Sequence, residues 1–232
     1  MHQKTEELKG KLRKCKSFED ALLVTHKFFK GEDCYLFATG PSFSSIPIEQ
    51  LKKKYADKLV VCVKQTFEPL AEICDFHFWN CSNMPVDYEN IPYRYLNGRP
   101  IIVASSNYPA GHRWSQNQQV DFFVKIPLIE EVGKENCLCF TRNYDDYLLK
   151  KSSKRTVGPG IMLESVLHFL VHFGVKSINT LGWDLDEHNS HFYDDEVSNK
   201  GCEIPWDIAA NAQAVPSIKE WLNSHSIVLN KL

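Results

Sequence analysis

The densest cluster of titratable side chains runs through Asp184, Asp186, Glu187, His188, His191, Tyr193, Asp194 and Asp195. A histidine titrates near neutral pH, so His188 and His191 are candidates for a general base that takes a proton from an acceptor hydroxyl. Tyr193 or Lys64 could assist the departure of a leaving group. Asp184 or Asp186 could act as a carboxylate nucleophile, and Asp184 could instead orient the histidine. Asp184-Leu-Asp186 also has the spacing of a divalent-metal pair, as Mg²⁺-dependent phosphoryl transfer would need. His168 and His172 lie one helical turn apart but lack the carboxylate of an HExxH pattern, so they read as packing residues.

A second set of residues suits the binding of a polar, anionic ligand. Gly40-Pro41-Ser42 is too short for a P-loop and lacks its lysine. Its backbone N–H groups and the Ser42 hydroxyl could still approach a phosphate. Gly158-Pro-Gly160 precedes a helix and presents a second set of N–H groups. Lys64 and Gln65 follow an apolar run, and Lys64 could neutralise a phosphate. Asn80 and Asn83 could hydrogen-bond a base or a sugar. Gly182-Trp183-Asp184 closes the list at the start of the titratable cluster.

These residues are placed by a regular series of elements. Short apolar runs at 34–39, 59–63, 76–79, 101–105 and 177–181 read as buried strands. Helical patterns separate them, which predicts βαβ units and a mostly parallel sheet. In such sheets ligands bind beyond the carboxyl ends of the strands, where each motif above falls. Residues 4–15 and 17–30 read as N-terminal helices, with Ser17 and Asp20 as a capping pair. An amphipathic helix after Gly160 buries Ile161, Met162, Val166, Phe169, Leu170 and Phe173, and Gly174 is its C-cap. A last helix spans 206–224, interrupted at Pro216, and 227–229 reads as a final strand. Residues 106–157 lack a clean period, although 136–140 has strand character, and read as an insertion that serves as a lid or acceptor site. Residues 1–232 form one α/β domain on this reading.

Composition narrows the function classes. Hydrophobic residues make up 43% and charged residues 24% of the 232-residue chain, which is ordinary globular composition. The net charge of −2 gives no support to nucleic acid as a partner. No apolar run approaches the roughly 18 residues that span a bilayer. Met1–Lys16 is charged throughout and lacks the apolar core of a signal peptide, so the expected location is cytoplasmic. The 8 cysteines then read as reduced thiols, Cys137 and Cys139 among them. The basic stretch Lys150–Arg155 is a candidate for peripheral contact with the inner membrane surface or a lipid-linked acceptor.

Taken in order, Ala38-Thr-Gly-Pro-Ser42, Lys64-Gln65, Phe78-Trp-Asn80, Gly158-Pro-Gly-Ile-Met162 and Leu181-Gly-Trp-Asp184 resemble the bacterial single-domain sialyltransferases that use CMP-sialic acid. They are also similar to the MAF-type flagellin glycosylation proteins. The resemblance covers residues 33–83 and 156–230. It implies a single Rossmann-like domain of the GT-A-variant, sialyltransferase-like type, with CMP across the strand ends. It also implies donor contacts from Gly40, Ser42, Asn80 and Gly160, a general base at His191, and no essential metal or other cofactor. The implied partners are a CMP-activated sugar donor and a glycan or lipid-linked glycan acceptor. Lys64 stands where those transferases tend to carry Asn, so sialic acid, a related nonulosonic acid and Kdo all stay open as the donor sugar. Two other readings stay open: an Mg²⁺-dependent pyrophosphokinase or phosphotransferase, since a pterin pyrophosphokinase group shares a similar Gly-Pro-Ser and Gly-x-Asp pattern, and a non-catalytic nucleotide- or glycan-binding module.

Overall fold

Strand-forming runs that are apolar at every position must be covered on both faces. The computed structural model, which describes residues 2–80, 100–106, 120–125, 144–147, 161–184 and 206–232, meets that demand. The strands are β1 (Asp33–Phe37), β2 (Leu59–Val63), β3 (Phe76–Asn80), β4 (Ile101–Ser106), β5 (Phe122–Lys125), β6 (Ser177–Leu181) and β7 (Val228–Lys231). They form one 7-stranded sheet in the order β5-β4-β3-β2-β1-β6-β7. Every neighbouring pair is parallel. This is the Rossmann-like, doubly wound α/β arrangement that the resemblance implies.

Period-2 alternation sorts the side chains into two cores. Leu59, Val61, Val63, Phe76, Phe78, Ile101 and Val103 pack on one face, beneath α1 (His2–Leu12), α2 (Phe18–Thr25), α5 (Leu167–Phe173) and α6 (Trp206–Ser224). Val60, Cys62, Trp79, Ile102 and Ala104 pack on the other, beneath α3 (Ile48–Tyr55) and α4 (Phe67–Leu70). All six apolar residues expected inside the helix after Gly160 are buried. Met162–Val166 is wound as a π turn before α5, which ends at the left-handed Gly174.

Three aspartates secure the amino ends of the strands. Asp75 is buried and accepts from Val60 N–H at 3.0 Å and from the Thr5 hydroxyl at 2.5 Å. Asp121 accepts from Ile102 N–H at 2.9 Å. Asp33 accepts from the Ser177 hydroxyl at 2.6 Å and pairs with Lys176 at 3.0 Å. The Ser177 hydrogen bond holds the Asp33 carboxyl below the usual range against the opposing effect of burial, with Lys176 adding to it.

Several boundaries differ from the sequence reading. The second N-terminal helix stops at Thr25, because residues 27–31 turn to donate N–H groups to the carbonyls of His172, Phe173 and Gly174. Ser17 does cap it, accepting from Asp20 N–H at 3.1 Å. Helix α6 runs unbroken through Pro216, which sits on its exposed side. Strand β5 lies inside the stretch read as an insertion. The strand character at 136–140 falls outside the described residues. No helix among the described residues is long and apolar enough to cross a membrane.

Candidate functional site

Going from β1 to β5 the chain fills one side of the sheet, and β6 then pairs with the other side of β1. The switch point is therefore between β1 and β6, where a parallel sheet of this kind opens its ligand crevice. The two strand extensions there are Gly40-Pro41-Ser42 and Gly182-Trp183-Asp184. The structure joins them into a clasp.

Four hydrogen bonds build the clasp. Ala38 N–H donates to Leu181 O at 2.8 Å, and Gly40 N–H donates to Gly182 O at 2.6 Å. Gly182 N–H donates to Ser42 Oγ at 2.9 Å. Ser42 N–H donates to Asp184 Oδ2 at 2.7 Å. The approach is so close that both glycines are required. A Cβ on Gly182 would lie 1.9 Å from Ala38 O, and Gly182 has φ +79°. A Cβ on Gly40 would lie 2.6 Å from Gly182 O and 2.7 Å from Asp184 Oδ2. Residues Pro41–Ser45 then form a 3₁₀ turn, anchored by buried Phe43 edge-on to Phe37.

The Asp184 side chain is only 5% exposed, and Lys231 Nζ at the end of β7 lies 3.2 Å from its Oδ1. Oδ1 has no directed hydrogen bond, so the contact is an ion pair. A buried carboxylate is costly unless it is neutralised and hydrogen-bonded, and here Lys231 and Ser42 N–H supply those two terms. Because Ser42 Oγ accepts from Gly182, its O–H is left as a donor for a ligand.

Beside the clasp, β2 ends in a 3₁₀ turn, Lys64–Thr66. Thr66 ties this turn to β1: its hydroxyl accepts from Val63 N–H at 3.0 Å and lies 2.9 Å from Phe37 O as a donor. Lys64 and Gln65 are half-buried. Lys64 has φ +53°, the left-handed region that a residue with a side chain rarely adopts. His77, fully buried on β3, places Nε2 at 2.8 Å from Lys64 O. Burial pushes the His77 pKa down to about 3, against the raising effect of the Lys64 carbonyl. A neutral ring facing a carbonyl must carry its proton on Nε2.

The expected residues thus divide by place. Gly40, Pro41, Ser42, Trp183 and Asp184 meet in the clasp at the switch point. Lys64 and Gln65 stand one strand away, linked to it through Thr66. Asn80 ends β3 one strand further out, in register with Ser105. Asn83, Gly158, Gly160, Asp186, His188, His191 and Tyr193 lie outside the described residues. His168 is buried and His172 half-buried in the helical layer: His172 Nε2 lies 2.9 Å from Leu22 O and 3.1 Å from Thr25 Oγ1, which pins α2 to α5. Among the described residues no group of three or more His, Cys, Asp or Glu could hold a metal ion. Lys231, Thr66 and His77 were not picked out by sequence reasoning. A histidine inside the apolar run Phe76-His-Phe-Trp79 was the one available signal.

Fold and clasp together define a doubly wound parallel α/β domain with a polar floor at its switch point. No protein-family model matches the chain, and no curated protein matches it. Among solved structures it is similar to a MAf glycosyltransferase from Magnetospirillum magneticum AMB-1, with a TM-score of 0.38 and 12% identity. The alignment covers 69% of this chain and 24% of that one, so the chain spans about a quarter of that protein's length.

Proposed function

We propose that this chain is a glycosyltransferase that moves a 2-keto sugar acid from a CMP-activated donor to a glycan acceptor. The observation that carries the reading is the clasp: the Gly-Pro-Ser turn and the Gly-Trp-Asp strand end are bound to each other at the sheet's switch point. That is where a nucleotide lies in parallel α/β sheets, and these are two of the motifs on which the family resemblance rests. Sialic acid, a related nonulosonic acid and Kdo all satisfy the donor chemistry.

In this mechanism the bond between the anomeric carbon and the CMP phosphate breaks through an oxocarbenium-like transition state. Negative charge grows on the leaving phosphate. The Ser42 hydroxyl and the Lys64 ammonium would meet that charge, with N–H groups at Gly160 and a hydrogen bond from Tyr193 in support. The Gly40 and Ser42 N–H groups hold the clasp instead. Gln65, Asn80, Asn83 and Trp183 would line the nucleotide and the sugar. His191 would take the acceptor hydroxyl proton, a step worth about 10²–10⁴-fold in rate. Asp184 acts as a positioning residue, since one oxygen fixes Ser42 and the other pairs with Lys231.

The test is a thermal-unfolding panel of CMP, CDP, UDP, GDP and ATP, each with and without Mg²⁺. A ligand at a hundred times its dissociation constant adds about 2.7 kcal/mol of stability. Selective stabilisation by CMP without metal is the expected result, followed by turnover of CMP-sialic acid or CMP-Kdo. Stabilisation by ATP or a diphosphate only with Mg²⁺ would replace this reading with the phosphotransferase.

A further inference from the structure

Among the described residues, three that are not glycine have positive φ: Lys27, Lys64 and Ser226. Lys27 follows the end of α2 and gives its N–H to the His172 carbonyl. Ser226 sits in the turn between α6 and β7, with its N–H on the Asn223 carbonyl. Both are turn residues on the protein's periphery. Lys64 differs, because it directly follows a fully buried strand at the carboxyl edge of the sheet. Backbone held in a disfavoured region at such a place is kept there by its surroundings, and it is a pointer to function.

Those surroundings are specific. His77 reaches from the neighbouring strand and donates Nε2–H to the Lys64 carbonyl at 2.8 Å. Its ring is clamped by Phe67, stacked at 4.6 Å and 15°, and by Trp79, edge-on at 5.2 Å. The ring is fully buried and uncharged, so its donor is present throughout the physiological range. Thr66 fixes the far side of the same turn against Val63 and Phe37. An apolar residue at position 77 would pack there equally well. A histidine at that position adds an N–H aimed at the Lys64 carbonyl.

We propose that His77 is a positioning residue whose ring N–H holds Lys64 left-handed, so that the Lys64 ammonium meets an anionic group of the bound donor, its phosphate or its carboxylate. The inference rests on the reading of the site given above and adds to it a residue from the buried face of β3. The Lys64 carbonyl also takes the Phe67 N–H, so the ring N–H of His77 is the cross-strand part of the hold on this turn.

A double-mutant cycle on the full chain tests this. Affinities for CMP, for cytidine and for free sialic acid are measured by calorimetry for wild type, Lys64→Ala, His77→Phe and the double variant. Phe keeps the stack on Phe67 and removes the donor. His77→Phe is expected to weaken binding of the anionic ligand about tenfold in the wild-type background and to have no further effect beside Lys64→Ala. Cytidine, which carries no anion, should bind all four alike. Loss confined to CMP assigns the phosphate, and loss confined to sialic acid assigns the carboxylate. Lys64→Gly removes the ammonium at a position whose φ of +53° glycine adopts freely, and it should weaken the same ligand. Equal loss from His77→Phe in both backgrounds would overturn the proposal, as would unchanged affinity in Lys64→Gly. Absence of any nucleotide binding by wild type would overturn the reading of the site, and this inference with it.

Discussion

The two ends of the sheet use one device for different purposes. At the amino end, the buried carboxylate of Asp75 takes an N–H from Val60 and a hydroxyl from Thr5, and Asp121 repeats the first half of that pattern on Ile102. At the carboxyl end, the buried carboxylate of Asp184 takes an N–H from Ser42. In each case an aspartate accepts from backbone that no strand ladder satisfies. The difference is the second partner. Asp75 is completed by a hydroxyl from α1, which seals it beneath a helix. Asp184 is completed by an ammonium whose side chain is 61% exposed, which leaves a charge facing solvent beside the clasp. A solvent-facing charge also closes the Asp33 staple at the amino end, through Lys176, so what sets Asp184 apart is its place at the switch point, where a parallel sheet binds its ligands.

Gly182→Ala should have the largest effect, because it attacks the carboxyl end at its closest approach. The new Cβ meets Ala38 O at 1.9 Å on a residue with φ +79°, and that obstacle is backbone, which cannot swing aside as a side chain can. A loss of about 3–5 kcal/mol in chemical denaturation is expected, at the upper end for a single substitution. A change under about 1 kcal/mol would mean that the clasp is not a tight element. Next come the two carboxylates, compared directly. Asp75→Ala strands a buried N–H and a hydroxyl and should cost about 2–4 kcal/mol of stability while leaving CMP affinity unchanged. Asp184→Ala strands one N–H, should cost about 1–3 kcal/mol, and should weaken CMP as well, because it releases the turn that carries Ser42. Equal effects of both variants on CMP affinity would erase the distinction between the two ends.

Much of the sheet was legible because its strands are buried on both faces. Val60, Cys62 and Ile102 are as apolar as their neighbours, and nothing but a buried strand fits such short runs. Gly40, Ser42 and Asp184 stand out in the sequence because small and acidic groups end apolar strands, and the structure brings the three together in the clasp. The aspartates at the amino end carry the same residue type, and only the direction of the chain separates them from Asp184. Strand β5 was not legible: four residues at a sheet edge, among polar neighbours, carry too little pattern. Pro216 predicted a break, yet a proline on the exposed side of a long helix removes a single N–H from a face that water can serve. The roles of Lys64 and His77 depend on one backbone angle and one cross-strand contact. Neither has a sequence signal beyond a histidine in an apolar run.

The smallest effect belongs to Lys231, and it tests the comparison most directly. Its ammonium lies 3.2 Å from a carboxylate oxygen with 5% side-chain exposure, while the lysine itself is open to solvent. Exposure of one partner and screening by salt limit its contribution, so Lys231→Met should cost only about 0.5–1 kcal/mol of stability at low salt. The effect on the ligand has a sign that can be worked out. Asp184 is negative, and without Lys231 its charge at the crevice opposes an incoming phosphate. CMP affinity should therefore fall, and the difference from wild type should shrink as salt is raised from low to moderate concentration. Cytidine should bind both proteins alike. If Lys231→Met left CMP affinity unchanged at low salt, Lys231 would be a closing group of the same kind as Thr5, and the two ends of the sheet would be staples of one type.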